Sequence, residues 1–214
     1  DIDVFVLADD DDASFPIPAS SNVRLLHIQE AFAMENGFRE ANMFGTNKSC
    51  SAWDKALYHY SRIATNYSFV WFIEYDVFIP SVQAFLALHE LYSPWHDLVT
   101  AELKYNTNGN LHSWYHWPKA PGKFILPWAE GMVCAVGCSR QLLSRVSDYA
   151  RWRGELAFLE FLFHTLVIHD KQMKIVRPFE LSTITYRELY RFEQIKARPN
   201  NWWHPLKRMN LHDE

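Results

Sequence analysis

A chain of 214 residues can bury one sizeable core, and 49% hydrophobic residues with only 7 glycines and 10 prolines exclude a disordered or fibrous protein. The net charge of −4 excludes the basic surplus usual in nucleic-acid-binding proteins, so a polyanionic ligand would need a local basic group or a metal. No run approaches the ~20 apolar residues of a membrane span and no signal peptide opens the chain.

Cys50, Cys134 and Cys138 are too sparse for a disulfide framework and fit a reducing, cytoplasmic compartment. Cys134 and Cys138 lie in an apolar run without a second Cys or His pair, which argues against zinc. The missing initial Met is expected of a trimmed or excised segment. Aromatics reach 16%, and Trp114, Trp117, Trp128, Trp202 and Trp203 sit among polar, Pro and His residues. They are therefore expected outside the core, as flat faces for sugar rings or bases.

Asp3 to Ala8 reads as a buried strand that stops at the four aspartates Asp9 to Asp12, and Val23 to Ile28 as a second strand. Ser51 is a plausible N-cap for a helix through about Thr65. Phe69 to Ile73 (FVWFI) has the continuous apolar character of a central strand covered on both faces. Ser81 opens a helix to about Leu91, and Asp97 to Ala101 reads as a strand. Residues 104–123 read as a long loop or loose hairpin, and Met132 to Val136 as a strand. Ser139 caps a helix through Tyr149, Glu155 to Ile168 reads as a buried helix, and Lys174 to Val176 as a late strand. From Arg198 the tail has no period. With no repeat or linker, residues 1–214 are expected to form a single α/β domain.

Two acids, Glu74 and Asp76, leave the C-terminal end of an otherwise apolar strand. Ligands of open α/β sheets bind at such ends, and carboxylates there are costly unless paired, metal-bound or hydrated. At i and i+2 around a bend both can address one cation, and hard oxygens suit Mn2+ or Mg2+. The plain alternative is a strand ending in solvated acids.

Ser51-Ala-Trp-Asp-Lys55 on a helix, followed by FVWFIEYD and Val77-Phe-Ile-Pro-Ser81, resembles the core of GT-A-fold glycosyltransferases. The general look is closest to the enzymes that large algal (chlorella-type) DNA viruses encode for their own glycans. The resemblance implies a Rossmann-like domain with a mixed, mostly parallel central sheet flanked by helices. It makes Glu74-Tyr75-Asp76 a variant of the DXD motif, with Asp76 at the stronger metal position and Tyr75 near the ribose. It also implies that Asp9 and Asp10 meet the nucleoside and that Lys55 reaches a phosphate; the alternatives are a solvated acidic loop and a pairing of Lys55 with Asp54 or an acid of the sheet. Trp128-Ala-Glu-Gly-Met132 is similar to the segment shaping the donor-sugar pocket, with Glu130 toward sugar hydroxyls. His204-Pro-Leu-Lys207 matches the late-chain arrangement in which a His is the third metal ligand and a Lys meets the diphosphate. Glu155 and Glu160 are both candidates for the general base of an inverting enzyme; a retaining enzyme needs neither.

The function so implied is a Mn2+- or Mg2+-dependent transfer of a hexose (glucose or a deoxyhexose such as rhamnose) from a UDP-sugar to a glycan or glycoprotein acceptor. If viral, the enzyme would act in the host cytoplasm. Two other classes compete. A non-catalytic carbohydrate-binding module would explain the Trp and His surplus but leaves Glu74 and Asp76 without purpose. A metal-dependent hydrolase or nucleotidyltransferase would need more converging carboxylates or histidines.

Overall fold

The computed structural model describes residues 2–11, 22–42 and 50–206. In chain order the elements are β1 (Val4–Leu7), β2 (Val23–Leu26), α1 (Glu30–Glu35), α2 (Ala52–Tyr58), β3 (Phe69–Ile73), α3 (Val82–Tyr92), β4 (Leu98–Val99), β5 (Lys104–Asn106), β6 (Trp128–Glu130), β7 (Ala135–Ser139), α4 (Arg140–Arg153), α5 (Leu159–His169), β8 (Ile175–Val176) and α6 (Phe192–Ala197). The chain is thus mixed α/β, organised as two compact units. One comprises Asp1–Tyr67 with Leu143–Leu159, and the other Ser68–Leu142 with Glu160–Glu214.

In the first unit β1 and β2 pair in parallel, Val4 opposite Val23 through Leu7 opposite Leu26. Ser51 starts α2 as its sequence suggested: its N–H and its hydroxyl both donate to the Asp54 carboxylate, at 2.8 and 2.7 Å. After α2 the chain winds on as a π-helical turn, His59–Ile63, which shortens the regular helix. Gly37 requires its identity: φ is +81°, and a Cβ there would stand 2.5 Å from the Ala150 carbonyl oxygen.

In the second unit a four-stranded sheet has the order β3-β7-β4-β8. β7 runs antiparallel to both neighbours, while β4 and β8 are parallel. The sheet is mixed, but among the described residues parallel pairing is not its majority. Nor is β3 central; it ends the strand order. Its apolar run has another cause. Trp71 packs against Phe85 of α3 and against Trp202, with ring centroids 6.2 and 4.9 Å away, so aromatic side chains cover one face of this end strand. Gly137 of β7 makes room, since a Cβ there would press on the Phe69 ring at 2.5 Å. Residues 104–130 make the loose hairpin, with β5 antiparallel to β6.

The expected exposed tryptophans are mostly core. Trp117, Trp128, Trp202 and Trp203 are buried, and only Trp114 is half-buried. Trp202 stacks on Phe85 at 5.6 Å, and Trp203 exchanges backbone hydrogen bonds with Phe78 (2.8 and 2.9 Å). An aperiodic tail thus buries its aromatics by backbone bridging, not by belonging to a helix or a long strand. The helix expected from Glu155 starts only at Leu159. Gly154 has φ +72°, and Leu156 and Leu159 donate their N–H groups to Arg39 and Ala41. The buried apolar stretch before Leu159 is therefore irregular chain, not helix. The three cysteines are buried and free. No helix among the described residues is long and apolar enough to cross a membrane.

Candidate functional site

The chemistry-bearing residues of the second unit gather where β3 ends. Glu74 still pairs as strand, its N–H donating to the Cys134 carbonyl at 2.8 Å. The chain then turns, with Val77 N–H to Glu74 carbonyl at 3.1 Å. The turn sorts the three residues of the Glu-X-Asp sequence by direction. Tyr75 is thrown out, 95% exposed, whereas Asp76 is turned in, 9% exposed.

The tail zips onto the same turn. Leu206 donates to the Asp76 carbonyl at 2.9 Å, next to the Phe78–Trp203 bridge. His204 is held from behind by its own backbone, bridged to Ile184, and by its ring: Nδ1 lies 2.6 Å from the Thr185 carbonyl oxygen. A carbonyl only accepts, so Nδ1 carries the proton. Nε2 then points at Asp76 Oδ1, 3.2 Å away, with Glu74 Oε2 at 3.9 Å. A lone pair facing two carboxylates is unfavourable unless a cation, either a second ring proton or a metal ion, lies between them. The carbonyl behind a ligating imidazole is the usual way its ring is oriented.

Cys134 joins the cluster: its sulfur, a Glu74 carboxylate oxygen and a His204 ring nitrogen all lie within 4.8 Å of one another. Burial, then the Glu74 charge, pushes the thiol well above its ordinary range. Asp76 is not one of that trio; it meets the His204 ring on its own.

Two further carboxyls stand in the same unit. Glu160, in the first turn of α5, accepts from the Tyr186 hydroxyl at 2.8 Å, and burial raises it to about 7. Glu130 ends β6 opposite Lys104 of β5, and burial raises it to about 7 as well, against the pull of the Lys104 ammonium 3.8 Å away. Lys104 also pairs closely with Glu102. Beneath them His164 is fully buried, its Nε2 3.0 Å from the Thr100 hydroxyl and 3.1 Å from the Glu102 carbonyl, and burial lowers it to about 4. Gly131 N–H donates to the Glu160 carbonyl at 3.0 Å, tying the end of β6 to α5. Thr185, Tyr186, Arg187 and Glu188 line an open concavity of about 630 Å3.

The other expected site residues fare differently. Glu155 is in the connection before α5 and in the first unit, apart from the helix start it was assigned. Asp9 accepts from the Ala52 N–H at 2.7 Å and so caps α2. The buried Lys55 ammonium donates to the Asp9 carbonyl at 2.7 Å and pairs with Asp11 at 2.5 Å. Asp9 and Lys55 thus clasp β1 to α2 within the first unit, and Asp10 is exposed beside them. Lys207 lies outside the described residues. Sequence reasoning missed Cys134, Tyr186, Glu102 and Lys104. Glu102 lies just before β5, which Lys104 opens, and no sequence pattern singled out either. Comparison with protein-family models, curated proteins and solved structures returned no match.

Proposed function

We propose that this chain is a metal-dependent glycosyltransferase moving a hexose, glucose or a deoxyhexose such as rhamnose, from a UDP-sugar to a glycan or glycoprotein acceptor. The observation that carries the reading is His204 Nε2, its tautomer set by Thr185, aimed at Asp76 and Glu74. Two carboxylates and an imidazole suit Mn2+ better than Mg2+, which prefers oxygen alone. Asp76, Glu74 and His204 would hold the ion. Bound there, it would supply positive charge to the diphosphate leaving group.

The remaining work falls to the protein's own groups. Glu160 takes the proton of the acceptor hydroxyl as its oxygen bonds to the anomeric carbon and the bond to the diphosphate breaks. A carboxyl raised to about 7 is half ionised near neutrality and matched to that task. Tyr186 orients it. Glu130 and Lys104, held on paired strands, would accept from and donate to sugar hydroxyls. Exposed Tyr75, Tyr105 and Tyr115 offer the sugar-stacking faces that the buried tryptophans cannot.

The test is calorimetric titration of UDP-sugars with and without Mn2+. Wild type should bind one of them only with the metal, and Asp76→Ala should lose that binding while keeping its circular dichroism. Failure of every UDP-sugar to bind in a metal-dependent way removes the proposal.

A further inference from the structure

The geometry points to a second binding mode at this cluster: Glu74, Cys134 and His204 form a site for a thiophilic, zinc-type cation, which takes two of the proposed Mn2+ ligands and so blocks donor binding. This rests on reading Glu74 and His204 as metal ligands. It adds the sulfur, which a hard-cation site does not use.

Three donors of different softness converge here, all within 4.8 Å. Cys134 and His204 are each 6% exposed, and both are fixed through the backbone. The Cys134 carbonyl holds Glu74 N–H at 2.8 Å, and the Thr185 carbonyl holds His204 Nδ1 at 2.6 Å. Zinc-type ions bond sulfur at about 2.3 Å and nitrogen or oxygen at about 2.0–2.2 Å, so ligands of one ion stand up to roughly 4 Å apart. Closing the cluster therefore needs side-chain movements of well under ~1 Å each.

The thiol is the discriminating donor. Sulfur with imidazole selects zinc, cobalt or cadmium over magnesium. On binding, the S–H bond is exchanged for a sulfur–metal bond and the proton leaves to solvent. An ion held by the trio withdraws Glu74 and His204 from the proposed Mn2+ set and leaves Asp76, 3.2 Å from His204 Nε2, without its two fellow ligands. Cys138, buried within β7, serves as the control thiol.

The experiment adds Co2+ to the metal-free full chain and records near-ultraviolet absorption, where cobalt–thiolate charge transfer appears. Wild type and Cys138→Ala should develop the band, and Zn2+ should bleach it. Cys134→Ala should lack it and bind Zn2+ on the order of 100-fold more weakly, since a direct ligand is worth at least as much as the outer-shell groups of metal sites. Cys134→Ser, with its melting midpoint and circular dichroism, guards against misfolding. No band in wild type, or an undiminished one in folded Cys134→Ala or Cys134→Ser, overturns the inference. The outcomes also separate from the transferase reading: a cobalt band without Mn2+-dependent donor binding keeps the site and removes the transferase. Donor binding without the band does the reverse.

Discussion

Replacing Glu130 with glutamine should make the protein more stable in alkaline solution, because the native carboxyl is buried where its charge is poorly solvated. Burial raises it from an ordinary 4.5 to about 7, net of the favourable Lys104 contact. Between those values the folded state holds a proton that the unfolded state has released. Stability is therefore lost as pH rises through the interval, and the whole loss is present above it. At about 1.4 kcal/mol per decade of proton activity, the traverse amounts to about 3 kcal/mol, an upper figure for one group. The carboxamide of Glu130→Gln keeps the shape of the neutral acid and never ionises. It also relieves Glu160, which the Glu130 charge helps to raise. Urea unfolding at pH 5, 6, 7 and 8 measures this. The variant should match wild type near pH 5 and exceed it by roughly 1–3 kcal/mol at pH 8. Parallel curves for the two proteins would refute the reasoning, since they would mean that Glu130 ionises as freely in the fold as in the unfolded chain.

Lys55→Met keeps the buried stem but removes the donor to the Asp9 carbonyl and the partner of Asp11, so it should destabilise by about 1–3 kcal/mol in urea unfolding. It should leave the proposed Mn2+ binding unchanged, and a selective loss of nucleotide affinity would instead support a phosphate role. Gly131→Ala would bring a Cβ within 2.0 Å of the Glu102 carbonyl oxygen and 2.4 Å of His164 Nε2, both in packed surroundings. A fall in melting midpoint equivalent to roughly 3 kcal/mol is expected, and an unchanged midpoint would show that β6 yields easily. Tyr186→Phe removes a hydrogen bond that favours ionised Glu160. The acid limb of the proposed transfer reaction should then move to higher pH, whereas an equal fall at every pH would leave Tyr186 with no part in setting the proposed base.

Features governed by neighbours in sequence were legible without the fold. Ser51, Ser81 and Ser139 stand at helix starts because capping joins residues two or three apart, as in Ser81 accepting from Ala84 at 3.0 Å. Strand β3 and the acids after it followed from an apolar run interrupted by charge. The same local rules misled where one pattern has two causes. A fully apolar run suggested a central strand, yet β3 ends the strand order, and its own Trp71 packs on Phe85 and Trp202. The run before Leu159 is equally apolar but not helical, because Gly154 and two backbone bonds end the helical path.

Everything that makes Asp76 more than an acid at a strand end came from tertiary structure. The turn Glu74–Val77 decides that Asp76 faces inward and Tyr75 outward. A bridge to Phe78 delivers His204, and a carbonyl from a third segment fixes which ring nitrogen carries the proton. Cys134 and Tyr186 enter through backbone and hydroxyl partners far along the chain. Periodicities of 2 and 3.6 residues carry information over a few positions only. Pairings between distant segments depend on which backbone groups burial forces together, and residue types alone leave these undetermined.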